Sequence, residues 1–177
     1  MSIASSTYIY VESDNNVKIT GLRDALDNSY VNDAVIKASL YIDTPTSFNA
    51  AAVVDNVDDV TFSCTGHGLL VGDKIRIIGT INYDGEYTVT AKTTDTFDVT
   101  AVYVAETISI LALFYKVVLN GYQITLAYKV ASNGEYNGVL PDTMLIYAGT
   151  LYCLFISGSS GGNVFLIKSI VTAAFKS

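Results

Sequence analysis

The sequence predicts an all-β protein, a β-sandwich interrupted by a small barrel-like β module. Three observations carry this expectation. Apolar residues recur at every second position over residues 34–42, where Ala34, Ile36, Ala38, Leu40 and Ile42 share a face. They do so again at Tyr122, Ile124, Leu126, Tyr128 and Val130, and period two over such lengths marks half-buried strands. Turn signals punctuate the chain, among them Ser13-Asp14-Asn15-Asn16, Asp84-Gly85, Asn120-Gly121 and Ser132-Asn133-Gly134. No stretch carries the i, i+3, i+4 apolar spacing over a helical length. About ten short strands with regular turns imply a sandwich plus a small barrel.

In order, Tyr8-Ile9-Tyr10-Val11 is a short apolar run that reads as an arm or an edge strand, and residues 1–14 form an N-terminal arm. A strand follows at Val17-Lys18-Ile19-Thr20-Gly21-Leu22, then a polar connection over 27–33, then the alternating strand at 34–42. Asp43-Thr44-Pro45-Thr46 punctuates, and the segment to about Asp59 has weak periodicity. Residues 51–107 are an inserted module. Within it Ile75 and Ile77 oppose Lys74 and Arg76, Tyr87 and Val89 alternate with Glu86, Thr88 and Thr90, and 96–100 is a third strand. Asp84-Gly85 is the hairpin signal between the first two, because Gly accepts the positive φ a tight turn needs. Residues 108–119 are apolar on both faces, as in a strand buried on both sides or lying in an interface. Residues 151–156 and 164–171 are two further strands, with a Gly- and Ser-rich loop at 157–162 between them. The sandwich therefore comprises residues 15–50 and 108–177.

Half of the 177 residues are apolar, enough to bury a core in one domain or two small ones. Charged residues make up only 15 % and Tyr occurs 13 times. That composition suits a surface that meets other protein, and it also suits any Thr-rich β protein. The net charge of −7, with 10 scattered basic residues, argues against nucleic acid, since phosphate binding needs clustered Lys and Arg. The opening Met1-Ser2-Ile3-Ala4-Ser5-Ser6 lacks the basic start and apolar run of an export signal. Residues 108–119, interrupted by Ser109 and Lys116, fall short of the roughly 20 residues that span a bilayer, so no membrane partner is expected. Cys64 and Cys153 read as separate buried thiols of a reducing compartment rather than a disulfide.

No catalytic, metal or cofactor site is expected. His67 is the only histidine and would have to be the base of a Ser/His/Asp site, yet it sits between two glycines in a turn. With Cys64 it supplies two ligands where zinc takes four. Neither Asp55, Asp58 and Asp59 nor Asp24, Asp27, Asn28 and Asp33 has the calcium-loop spacing, and both sets read as solvated loop acids. The 157–162 loop lacks the Lys of a phosphate loop and precedes a strand. The four glutamates, Glu12, Glu86, Glu106 and Glu135, form no assignable pair for glycoside hydrolysis.

Two sets of residues carry a resemblance. Asn16-Val17-Lys18-Ile19-Thr20-Gly21-Leu22, Tyr30-Val31-Asn32-Asp33-Ala34-Val35 and the run from Tyr128 to Asp142 resemble a family of bacteriophage virion proteins. Its fold is an immunoglobulin-like, or carboxypeptidase-regulatory-like, sandwich. Gly66-His67-Gly68-Leu69-Leu70-Val71-Gly72-Asp73 resembles a separate β module found in phage structural proteins, itself similar to a catalytic-cysteine half-domain of ubiquitin-activating enzymes. That motif shapes a turn and a strand and implies no ubiquitin transfer. The resemblance implies a non-enzymatic structural protein of the virion, made in the host cytoplasm. Such a subunit decorates the capsid or joins head to tail, is a homo-oligomer, and has capsid, connector or tail subunits as partners. The expected protein contacts are Tyr8, Ile9, Tyr10 and Val11 of the arm and Ile110, Leu111, Phe114 and Tyr115 of the two-faced strand. The alternative is an adhesive, sugar-binding module of a tail or baseplate, with Tyr83, Tyr87 and Tyr103 stacking on rings.

Overall fold

The computed structural model describes residues 2–4, 8–24, 26–118, 123–160 and 163–176, and these form strands and no helix. They divide into two compact units, Met1–Asp43 with Val118–Ser177, and Thr44–Val117. The first unit begins with β1 (Ser2–Ala4), β2 (Tyr8–Tyr10), β3 (Asn15–Thr20) and β4 (Val35–Ile42). The second holds β5 (Thr46–Ser47), β6 (Val54–Asn56), β7 (Asp59–Ser63), β8 (Lys74–Ile78), β9 (Gly85–Lys92), β10 (Thr96–Thr100) and β11 (Leu113–Lys116). The chain then returns to the first unit with β12 (Gln123–Tyr128), β13 (Tyr136–Leu140), β14 (Leu151–Ser160) and β15 (Asn163–Ala174).

The first unit is one curled sheet in the order β1-β3-β13-β12-β4-β14-β15-β2. Its halves, β1-β3-β13-β12 and β4-β14-β15-β2, are joined through the antiparallel pairing of β12 with β4. The alternation expected in β4 places Ile36, Ala38 and Leu40 in the core, but the strand is half-buried only at its start, since Ser39 and Tyr41 on its other face are buried too, Tyr41 edge-on to Phe155. Ile36, Ala38 and Leu40 pack in one cluster with Val17 and Ile19 of β3, Leu126 of β12, Tyr136 and Leu140 of β13, and Leu154 and Ile156 of β14. Tyr136 is buried with its hydroxyl satisfied, donating to the Val31 carbonyl and accepting from the Ala34 amide, each at 3.0 Å. A buried phenol needs such partners, and here they tie the 31–34 connection to β13. Gly134 lies against the backbone of Leu22, whose amide donates to the Gly134 carbonyl at 3.1 Å, while the Gly134 amide donates to Asn32 Oδ1 at 3.0 Å. Beside it, Lys18 at 2.9 Å, with Lys129 at 3.2 Å, holds the Glu135 carboxyl down to about 2.

The second unit is a sheet in the order β5-β11-β8-β9-β10-β7-β6. It curls until its first and later strands nearly meet: the Asn49 amide donates to the Ser63 carbonyl at 3.1 Å and Asn49 Nδ2 to Thr65 Oγ1 at 2.9 Å. Inside, Phe48, Phe62, Phe97 and Phe114 form one aromatic group, with Phe62 and Phe97 stacked at 5.6 Å. Ile75, Ile77 and Val89 close the core around them. Entry and exit are adjacent, since the Val118 amide donates to the Leu40 carbonyl at 3.2 Å.

Several expectations need correction. Residues 108–119 are not one strand: Ser109 to Ala112 form a turn, with the Ala112 amide donating to the Ser109 carbonyl at 3.0 Å and the Leu111 amide to Ser109 Oγ at 3.1 Å. Ser at the first turn position offers both groups, and only Leu113–Lys116 is strand. Segments 44–50 and 108–117, read above with the sandwich, lie in the second unit, and Phe48, Ile108, Ala112 and Phe114 belong to its core. Residues 157–160 are not loop but the end of β14, paired on both sides, Ser157 with Lys37 and Leu166 and Gly158 with Ile36 and Phe165. β8 and β9 do pair, but Gly85 is already within β9, and the connection is the longer stretch 79–84. Of the two readings of Tyr8-Ile9-Tyr10, edge strand holds: β2 runs parallel to β15, Tyr8 opposite Thr172. The turn expected at Asn120-Gly121, with Leu119, Tyr122, Gly161 and Gly162, lies outside the described residues.

Candidate functional site

The signature stretch of the second unit joins β7 to β8, and its polar groups are occupied in holding the turn. Gly66 and Gly68 both have positive φ, 66° and 65°, so the chain bends on either side of His67. That turns the imidazole inward, 8 % exposed, edge-on to Phe97 at 5.4 Å. Nδ1 accepts the Leu69 amide at 3.0 Å, which fixes the neutral tautomer with the proton on Nε2. Nε2 then donates to the Thr93 and Thr96 carbonyls at 3.2 and 3.1 Å. The one histidine thus staples the β7–β8 turn to the β9–β10 hairpin. Asp73 Oδ2 accepts the Leu70 amide at 2.8 Å and pairs with Lys116 at 2.7 Å. Among the described residues no three His, Cys, Asp or Glu side chains converge as metal ligands.

One end of the second unit carries apolar side chains in water. Ile78 pairs with Leu113 and Ile77 with Gly85, so the 79–84 and 109–112 connections leave the barrel at the same end. The Glu106 carboxylate joins the 101–107 connection to them, accepting the amides of Ile81 and Asn82 at 2.7 and 2.9 Å. On this frame Ile81, Val102 and Leu111 are each more than four-fifths exposed and Ile110 is 62 % exposed. Exposed apolar residues gathered in one region mark interaction sites more often than scattered ones do.

Of the predicted contacts, Ile110 and Leu111 lie on this end. Phe114 and Tyr115 do not: both are buried, Phe114 inside the second unit's aromatic group. Tyr8 is half-exposed on β2, Ile9 is buried in the first unit's core, and Tyr10 and Val11 are partly buried. Sequence reasoning does not single out Ile81 or Val102: Ile81 is one apolar residue between Thr80 and Asn82, and Val102 lies in the short apolar run 101–105, which gives no sign of which side chain faces water. Of the aromatic residues named for sugar stacking, Tyr83 is 1 % exposed and its hydroxyl is bonded to both the amide and the carbonyl of Val104 at 2.7 Å. Its ring is not available to a sugar. Tyr87 is partly buried and Tyr103 is 40 % exposed. The first unit has a cleft of about 250 Å³ beside β2, lined by residues including Tyr8, Tyr10, Asn15 and Lys176, below the roughly 300–1,000 Å³ of typical ligand sites.

The two cysteines are unpaired and buried. Burial pushes the Cys64 thiol up. Burial, then the Asp43 carboxylate 3.1 Å from Sγ, pushes Cys153 up to about 12. At pH 8 about one Cys153 in ten thousand is then thiolate. Native protein is expected to stay colourless with a disulfide-exchange dye for hours and to release two equivalents in urea. A fast native equivalent would contradict this burial.

A comparison with protein-family models finds no match, and a comparison with curated proteins finds none either.

Proposed function

We propose that this chain is a non-enzymatic structural protein of a bacteriophage particle. It is a capsid-decoration or head–tail joining subunit that binds neighbouring capsid, connector or tail subunits. The reading rests on the signature at residues 66–73 and the resemblance it carries. What supports it is the use the fold makes of that signature: His67 and Asp73, its two residues with titratable side chains, spend their polar atoms on the turn and on tying it to Thr93, Thr96 and Lys116. The turn in turn holds a barrel whose far loops present Ile81, Val102, Ile110 and Leu111. Contact would come from burying these side chains against a neighbour, with no turnover. The adhesive alternative keeps only Tyr103 as an exposed ring and loses Tyr83.

Cosedimentation with phage heads, necks and tails tests the proposal. The protein is expected to pellet at a fixed ratio with one of them, and Leu111→Asp, at an exposed position, is expected to lose binding at an unchanged melting temperature. Failure to pellet with any of the three would overturn it.

A further inference from the structure

Among the described residues, the outer edge of β15 is unpaired along most of its length. β15 runs from Asn163 to Ala174, yet β2 covers only Thr172, Ala173 and Ala174. No other described strand lies on that side. The Ala174 carbonyl accepts the Val11 amide at 2.9 Å, so Ala174 turns its backbone groups outward. Strand alternation gives Val164, Leu166 and Ile170 the same orientation. Their side chains are 80, 48 and 53 % exposed. The β14–β15 register runs unbroken from Leu151–Thr172 to Ser160–Asn163, so no bulge twists the edge away. Natural sheets guard such an edge with bulges, prolines or charges. The sole charge between Asn163 and Val171 is Lys168, and its ammonium leans back over its own sheet, 6.0 Å from the Phe155 ring on β14.

We propose that this edge pairs, antiparallel and about a two-fold axis, with the same edge of a second copy of the chain. The pattern of the edge selects itself. With the axis at Ile167, Val164 faces the partner's Ile170, Leu166 faces the partner's Lys168, and Ile167 meets its own symmetry mate. Every outward-facing residue then meets another, as an antiparallel ladder requires. Moving the axis one residue to Lys168 sets ammonium against ammonium, and like charges directly opposed are unfavourable. A two-fold contact also closes on itself, so the assembly stops at two chains. The inference goes beyond the reading of the previous subsection and does not depend on it, because it stands on β15 alone.

Sedimentation equilibrium of the purified chain tests it. A concentration-dependent dimer is expected, with a dissociation constant in the micromolar range. Leu166→Lys, at a half-exposed position, is expected to weaken it at least about tenfold by opposing Lys168 across the axis. Adding Lys168→Glu to that variant is expected to restore the dimer, since the ammonium introduced at position 166 would then face a carboxylate. Ile170→Lys provides a second disrupting variant, and circular dichroism and melting temperature confirm that each remains folded. A wild-type chain that is monomeric at about 1 mM overturns the proposal. So does a dimer indifferent to Leu166→Lys, or a double variant that is no tighter than the single. A monomer that still pellets with particles would sink this inference and leave the virion reading standing, and a dimer that binds no particle would do the reverse.

Discussion

Replacing Phe97 by alanine is expected to lower stability by about 3–5 kcal/mol, the range for emptying a buried phenylalanine. Phe97 has no exposure, and its ring lies 5.6 Å from Phe62, 6.0 Å from Phe48, 5.5 Å from Phe114 and 5.4 Å from the His67 imidazole. These partners come from β7, from the stretch after β5, from β11 and from the signature turn. Phe62 and Phe114 are held in paired strands and His67 by its hydrogen bonds to Leu69, Thr93 and Thr96, so the cavity persists. The midpoint of urea unfolding should fall with little change in slope, and hydrogen exchange should quicken first in β7, β8 and β10. Phe175→Ala is the control: at 71 % exposure it should stay within about 0.5 kcal/mol of the parent. Equal midpoint shifts for the two would refute the aromatic group as the second unit's centre.

Gly134→Ala is expected to cost about 2–5 kcal/mol, from a left-handed backbone and an overpacked contact together. Its φ is 64°, and a Cβ would stand 2.5 Å from the Leu22 carbonyl oxygen and 2.7 Å from the Leu22 nitrogen. Those atoms are backbone, and they are pinned: the Leu22 amide donates to Gly134 and its carbonyl accepts from Val31 at 3.0 Å. Gly149 separates the two causes. Its φ is 82° with nothing within 4 Å, so Gly149→Ala should show the backbone cost alone, about 1–2 kcal/mol. If both alanines melt alike, the close approach to Leu22 contributes nothing.

The sheet architecture was readable wherever one face is wet and one dry. β4 begins this way, with Ile36 and Ala38 in the core on either side of the exposed Lys37, but from Ser39 onward its other face is buried as well, Ser39 2 % and Tyr41 0 % exposed. β8 alternates along its length, through Ile75 and Ile77. Legibility failed where local bonds overruled composition. Ser109 closes a turn inside an apolar run, and no count of apolar residues registers a side-chain oxygen accepting an amide two residues on. Ser157 to Ser160 look like loop because Ser and Gly have low strand preference. They are strand because β4 and β15 flank them and Gly158 makes room for Phe165, whose ring would lie 2.6 Å from any Cβ there. The contact residues divided in the same way. Exposure at Ile110 and Leu111 follows from the turn, and burial of Phe114 and Tyr115 from the strand after it, and one unbroken apolar run gives no sign of where the change falls.

The pairing of β2 with β15 bears on how the molecule is made. Residue 8 meets residue 172, so that seam cannot form until residue 172 has left the ribosome. Residues 44–117 are continuous and hold a core of their own, and they meet no such delay. During synthesis the inserted barrel can mature while the two halves of the sandwich still wait for each other. Tyr8-Ile9-Tyr10, made long before the strand it pairs with, would then be among the last to settle.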